Sequence, residues 1–311
     1  MIYNVINLLY GIGLFLFGIN LIGENTKRIF GERLQCALGF LTKNRISGML
    51  TGFAVTALIQ SSSATNVMTV SFVSAGLMSL SQAVGIVMGA NIGTTLTSLL
   101  IAFNFSSVAP LAIFLGAAVY IFTKNERLKY TSTAVIGFGL LFLGLNTMSL
   151  SFSHLKDSEA FLGFVSACEN KFMCVLTGFI MTAIIQSSTA TVGILQALAL
   201  SGAIPVESAL YIIFGQNIGE VIPVYLSSLG ATRQAKQISV IQLLFNLTGS
   251  AFFFILFEII PFPDLIRDIG NPSMQVSFMH IAFNVIITLL LLPMADILIK
   301  ISERIMNLKR I

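Results

Sequence analysis

The chain has 311 residues, of which 56% are hydrophobic and 10% charged, and its mean hydropathy is +0.92. Soluble domains carry about 25% charged residues, so this composition excludes a chain folded around one water-soluble core and points to lipid as its solvent. The net charge of +4 does not imply nucleic-acid binding, because Lys and Arg follow a membrane-sidedness pattern.

The first apolar run, Ile2 to Ile22, has no basic region before it and no A-x-A cleavage site, so it reads as a retained helix rather than a signal peptide. Apolar runs predict helices at about 3–23, 80–103, 108–123, 133–151, 205–229, 238–257 and 275–299. Two segments, about 45–76 and 171–202, do not read as simple spans. Ile46 to Ile59 provides only about 21 Å of helix at 1.5 Å per residue. Gln60, Ser61, Ser62 and Ser63 follow, and the apolar run resumes from Ala64 to Met78. That pattern predicts a re-entrant helical hairpin with a polar tip, irregular backbone being tolerated at membrane depth only inside protein or along a wet cavity.

The same pattern recurs 126 residues later without a gap. Gly11 falls on Gly137, Gly18 on Gly144, Asn20 on Asn146, TALIQSSSAT on TAIIQSSTAT, and GANIG at 89–93 on GQNIG at 215–219. Matched Gln, Asn, Ser, Thr and Gly mark a duplication, since chance similarity between apolar helices would match Leu and Ile. The expected organisation is repeat one at 1–130, with a hairpin at about 45–76 and a broken helix at about 80–103. Repeat two covers 131–260, with a hairpin at about 171–202 and a broken helix at about 205–229. A last transmembrane helix and a short tail occupy 261–311.

Charge sets the expected orientation, because cytoplasmic loops are enriched in Lys and Arg. With the N-terminus outside, 14 of the 17 basic residues lie inside: Lys27, Arg28, Arg33, Lys43, Arg45, Lys124, Arg127, Lys129, Arg233, Lys236, Lys300, Arg304, Lys309 and Arg310. The outside loops hold Lys156, Lys171 and Arg267 with Asp157, Glu159, Glu169, Glu258, Asp264 and Asp268. Three crossings and one hairpin per repeat is an odd number, so the second copy is expected upside down relative to the first. The fold class is thus an all-α integral membrane protein of two inverted repeats plus one C-terminal helix, with its C-terminus cytoplasmic.

Inverted repeats whose broken helices meet at the midplane are the organisation of many secondary transporters. Each tip starts a second half-helix, whose free N–H groups suit an anion without any cationic side chain. Hydroxyl, amide and carbonyl oxygens suit Na⁺. Asn91 and Asn217, flanked by glycines, are expected at breaks beside the tips. Ser, Thr and Gly in lipid also serve tight helix packing, but two copies at one offset favour a substrate site. Packing remains the reading for Phe245-Asn246 and Phe283-Asn284, a structural role for His280, helix capping for Glu207, and an i,i+4 pair for Asp296 and Lys300. Cys36, Cys168 and Cys174 read as apolar fillers, with no CxxC or metal-type spacing to His154 or His280. Glu220, whose repeat partner is Thr94, is ionisable at membrane depth and therefore functional by default: it holds a sodium, carries a proton, or stays protonated and hydrogen-bonded.

The paired QSSSAT and QSSTAT segments, each followed by Gly-x-Asn-Ile-Gly, are similar to the type II sodium-phosphate cotransporter family, and the resemblance runs from about Gly11 to Asn284. It implies a sodium-coupled symporter of inorganic phosphate in the inner membrane, commonly dimeric, working with a moving transport region and with sodium as coupling ion rather than any bound cofactor. Carried onto this sequence, phosphate falls to Gln60, Ser61, Ser62, Ser63, Gln186, Ser187, Ser188 and Thr189. Sodium falls to Gln60, Ser63, Thr65, Asn91, Thr94, Gln186, Thr189, Thr191, Asn217 and Glu220. Asn91, Thr94, Asn217 and Glu220 are the expected second wall of the site. Repeat two departs from the family, placing Glu220, Val221, Ile222 and Pro223 where Thr residues are usual. The alternatives are another small anion, export, or proton coupling through Glu220. A membrane hydrolase would need a general base beside a serine, and a receptor would not need polar breaks.

Overall fold

Glycine decides how these helices meet, because lipid supplies no hydrophobic drive between them and close backbone approach must replace it. The computed structural model describes residues 2–156, 158, 161–163 and 170–308, so Cys168, Asp157, Glu159, Glu169, Lys309 and Arg310 lie outside the described residues. Among the described residues the regular elements are all helical. In chain order they are α1 (Ile2–Phe40), α2 (Arg45–Ile59), α3 (Ser62–Ser74), α4 (Leu80–Ala102), a 3₁₀ turn (Phe105–Ser107), α5 (Ala109–Phe122) and α6 (Glu126–Leu155). Then follow α7 (Lys171–Ile185), α8 (Ser188–Leu200), α9 (Val206–Gly219), α10 (Val221–Ser228), α11 (Arg233–Ile259), α12 (Phe262–Ile266), α13 (Pro272–Leu291) and α14 (Ala295–Leu308). Among the described residues, six stretches are long and apolar enough to cross a membrane: α1, α4, α6, Val206–Ser228, α11 and α13. This is a multi-pass membrane protein.

The two halves pack by the same contacts. Gly11 lies against Gly144 and Met148 while Gly18 lies against Gly137 and Leu141, so α1 and α6 run antiparallel with contacts that exchange under the 126-residue offset. Within each half, α2 runs parallel to α4 and α7 to α9. Gly52 meets Ile86 and Gly178 meets Ile212, while Gly89 meets Met49 and Gly215 meets Val175. A Cβ at Gly89 would sit 1.9 Å from the Met49 carbonyl oxygen, and one at Gly215 1.7 Å from that of Val175. The start of α2 also lies beside the start of α4: Arg45 Nε donates to Ser81 Oγ at 2.9 Å, and Gln82 Nε2 donates to the Thr42 carbonyl.

Several expectations change. The first helix continues past residue 23 to Phe40, placing Lys27, Arg28 and Arg33 on helix rather than loop; no proline interrupts it. Helix α4 is unbroken through Asn91. Its glycines serve close packing on α2, and its repeat has no proline. The break expected near 205–229 does occur, at Glu220 between α9 and α10. Pro223 explains it, because it cannot donate to the Gly219 carbonyl and its ring crowds that group. Helix α5, at 14 residues, reaches only about 21 Å and falls short of a full crossing by its own length. The last span ends at Leu291 rather than 299, with α14 separate. Pro293 enforces this end because it has no N–H to donate to the Leu289 carbonyl and its ring crowds that group, while Leu292 before it keeps helical dihedrals. Cys174 is buried as expected of a filler, but Cys36 is exposed.

Candidate transport site

Each polar tip is made by one residue of unusual conformation followed by a cap. Gln60 closes α2 in the left-handed region at φ 61°, ψ 27°, and Gln186 closes α7 at φ 57°, ψ 24°. A side chain there costs roughly 1–2 kcal/mol, and such residues concentrate at functional positions. The next residue turns the chain into the second helix. Ser61 Oγ accepts from Ala64 N at 3.1 Å, and Ser187 Oγ accepts from Ala190 N at 3.2 Å. First-turn amides that no intrahelical carbonyl can satisfy are thereby left at Ser62–Ser63 and Ser188–Thr189.

Behind each tip sits a matched threonine pair. Thr56 Oγ1 donates to Thr65 Oγ1 at 2.8 Å and Thr182 Oγ1 to Thr191 Oγ1 at 3.1 Å. Thr65 and Thr191 are fully buried against the tip backbones rather than facing the cavity.

The two tips converge on one hollow of about 290 Å³. All eight residues read as the phosphate set line it: Gln60, Ser61, Ser62, Ser63, Gln186, Ser187, Ser188 and Thr189. Of the sodium set, Gln60, Ser63, Gln186 and Thr189 also line it.

Asn91, Thr94, Asn217 and Glu220 do not line it and so are not its second wall. Thr94 Oγ1 is spent on its own helix at the Ala90 carbonyl, 3.2 Å away. Asn91 is buried with neither amide atom bonded, and Asn217 donates to the Ile213 carbonyl while its Oδ1 stays unbonded. Unbonded amides buried this deeply are costly. Next to them, Asn246 Nδ2 donates to the Asn217 carbonyl at 2.6 Å. His280 is buried, with Nδ1 3.2 Å from Ser98 Oγ, away from the hollow, as its structural reading requires.

Glu220 reaches the hollow through two serines. One carboxyl oxygen, Oε1, accepts from Ser62 Oγ at 2.5 Å and from Ser188 Oγ at 3.2 Å. Those serines are repeat partners separated by 126 residues. The helix break that Pro223 enforces places this carboxyl between them.

The opposite wall is α1, which sequence reasoning missed. Leu16, Asn20, Glu24 and Lys27 line the hollow, and their spacing puts them on one helical stripe. Extending the helical period beyond Ile22 would have exposed that stripe. Glu24 and Lys27 also line a second hollow of about 510 Å³, with Arg28, Arg33 and Arg127. Among the described residues, none of these four cations has an ion-pair partner. Thr97 was missed too: its Oγ1 donates to Gln60 Oε1 at 3.1 Å, a contact Pro223 cannot repeat for Gln186.

At the far end, Asp296 pairs with Arg45 of α2, not primarily with Lys300. The Arg45 guanidinium beside it holds its carboxyl below the usual range, with a smaller contribution from Lys300.

No solved structure gives a significant match to this chain. A protein of Salmonella typhimurium provisionally named an inorganic phosphate export protein, YjbB, is 29% identical over 98% of this chain and 56% of its own length. YqeW of Bacillus subtilis, of uncharacterised function, is 26% identical over 91% of this chain and 92% of its own. A short stretch, 20% of this chain and 10% of the relative, is 44% identical to sodium-dependent phosphate transport protein 2A of Ovis aries. The chain spans about half the length of the enterobacterial relatives it matches. The Na⁺/Pi-cotransporter family matches residues 14–150 and 155–288. Covering nearly all of the helical body described above, that match makes this chain a member of the Na⁺/Pi-cotransporter family, a family of transporters rather than enzymes.

Proposed function

We propose that this protein is a secondary transporter coupling sodium to the movement of inorganic phosphate, with both Gln-Ser-Ser tips forming one substrate site. The observation that carries it is convergence: two tips from two repeats line one hollow and share one carboxyl oxygen. A tetrahedral oxyanion suits such a place, since first-turn amides from two helices approach it from two directions. The basic hollow leading to it raises the local concentration of anions. Phosphate falls to the eight tip residues. Sodium falls to the oxygen-rich positions at and behind them, including Thr65, Thr191, Asn91, Thr94, Asn217 and Glu220.

In this reading the two halves are inverted repeats and each tip is re-entrant. The antiparallel α1–α6 pair and the juxtaposed starts of α2 and α4 support it. The N-terminus is outside, the C-terminus cytoplasmic, the protein is a homodimer, and the membrane is the inner membrane. Coupling has a physical reason: one charge crossing 100 mV is worth about 2.3 kcal/mol, so a dianion entering a negative cell needs at least two cations with it. Export is the second reading, favoured by the printed function of the YjbB relatives; proton coupling through Glu220 belongs with it.

In proteoliposomes, a sodium gradient should drive phosphate flux, and Ser62→Ala with Ser188→Ala should reduce it by at least about tenfold. Flux indifferent to both sodium and the double substitution would refute the proposal, and the direction of net flux separates import from export.

A further inference from the structure

Glu220 does more than hold the tips together, because it decides which way two hydroxyl protons point. A serine hydroxyl has one hydrogen to donate and two lone pairs to accept with. Ser62 and Ser188 both spend their hydrogen on Glu220 Oε1, at 2.5 and 3.2 Å, and both are almost fully buried. Both also line the hollow. The faces they turn toward a bound ligand therefore carry lone pairs only.

We infer that Glu220 is a specificity-determining positioning residue, which makes Ser62 and Ser188 hydrogen-bond acceptors and so selects oxyanions that carry a hydroxyl hydrogen over those that carry none. This rests on the phosphate-transport reading and deepens it. Around the tips the other groups are donors, namely the first-turn amides at Ser62–Ser63 and Ser188–Thr189 and the side-chain amides of Gln60 and Gln186, while the opposite wall adds the Lys27 ammonium and the Glu24 carboxylate. Bare oxygens of the ligand take those donors. At neutral pH phosphate and arsenate keep at least one hydroxyl hydrogen, which the two serine oxygens can accept. Sulfate and monofluorophosphate have similar shape and charge but no such hydrogen, so they set oxygen or fluorine against oxygen lone pairs. Leaving such acceptors unpaired is costly. In repeat one the equivalent position is Thr94, whose hydroxyl is bonded within its own helix, so the device is confined to Glu220.

The test is competition against sodium-driven radiolabelled phosphate uptake in proteoliposomes by arsenate, sulfate and monofluorophosphate. For the unmodified protein, arsenate should compete, while monofluorophosphate and sulfate should be weaker by at least about tenfold, since a site that pairs a ligand hydroxyl rejects the analogue lacking it. Glu220→Thr, which substitutes the residue of repeat one, frees the serine hydrogens and should narrow that ratio to within about threefold. Glu220→Gln keeps a carbonyl-type oxygen that can accept from both serines and should retain the discrimination. Equal competition by monofluorophosphate in the unmodified protein overturns the inference even if no variant folds, and so does a Glu220→Thr protein that still discriminates. Absence of any phosphate uptake by the unmodified protein removes the transport reading and this inference together, whereas uptake without discrimination removes the inference alone.

Discussion

Helices α3 and α8 begin identically and end in different surroundings. Each starts two residues after a left-handed Gln, each is capped by the Ser between, and each spans 13 residues. Yet α8 buries every residue from Ser188 to Ala199, while α3 buries only Ser62, Thr65, Asn66, Thr69, Val70 and Val73. The tip is therefore a local product of the Gln-Ser-Ser sequence, reproduced wherever those residues stand. What surrounds it comes from the rest of the chain, and there the repeats diverge: Thr94 and Thr97 on one side, Glu220 and Pro223 on the other. The two tips therefore face the same hollow from unequal surroundings.

Changes to the shared scaffold should show the largest effect. Gly89→Val and Gly215→Val each drive a side chain into the carbonyl of a neighbouring helix, and overpacking of this kind costs typically about 1–3 kcal/mol and occasionally more. Thermal unfolding in detergent should show a large and similar loss for both. A loss in only one would break the equivalence of the halves.

An intermediate effect is expected where the halves differ. Thr97→Val removes the hydrogen bond to Gln60 Oε1, worth about 1 kcal/mol, or about fivefold in phosphate KM. Unchanged KM would show that Gln60, like Gln186, needs no such anchor.

The smallest effect should come from Asp296→Asn, which removes an exposed ion pair between α14 and the start of α2. Because the folded-state carboxyl titrates below its ordinary value, its contribution is present above about pH 3.9. It is lost as pH falls further through the lowered value. The small difference in melting temperature between the two proteins should therefore be seen at neutral pH and vanish in strong acid; a constant difference would contradict the assignment.

Much of this was legible in the sequence because period and punctuation carry it. The segment read as about 45–76 is two helices, α2 and α3, from Arg45 to Ser74 with a break at Gln60–Ser61, and the one read as 171–202 is α7 and α8 from Lys171 to Leu200 with a break at Gln186–Ser187. The eight tip residues were legible for the same reason. The misses share a cause: motif reasoning treated glycine and charge as signs of interruption. Gly85, Gly89 and Gly93 instead seat α4 against α2 without breaking it, and charge at Glu24 and Lys27 does not end α1, which carries on as the far wall of the hollow. The placement of Glu220 behind two serines depends on the fold of both halves at once, and no local pattern announces it.

The central claim is that the two tips make one site, and a double-mutant cycle on phosphate flux tests it most directly. Ser62→Ala and Ser188→Ala should each remove nearly as much flux as the two together, because groups acting as a unit are strongly non-additive. Single losses that multiply to give the double would mean two independent sites, and would contradict this account.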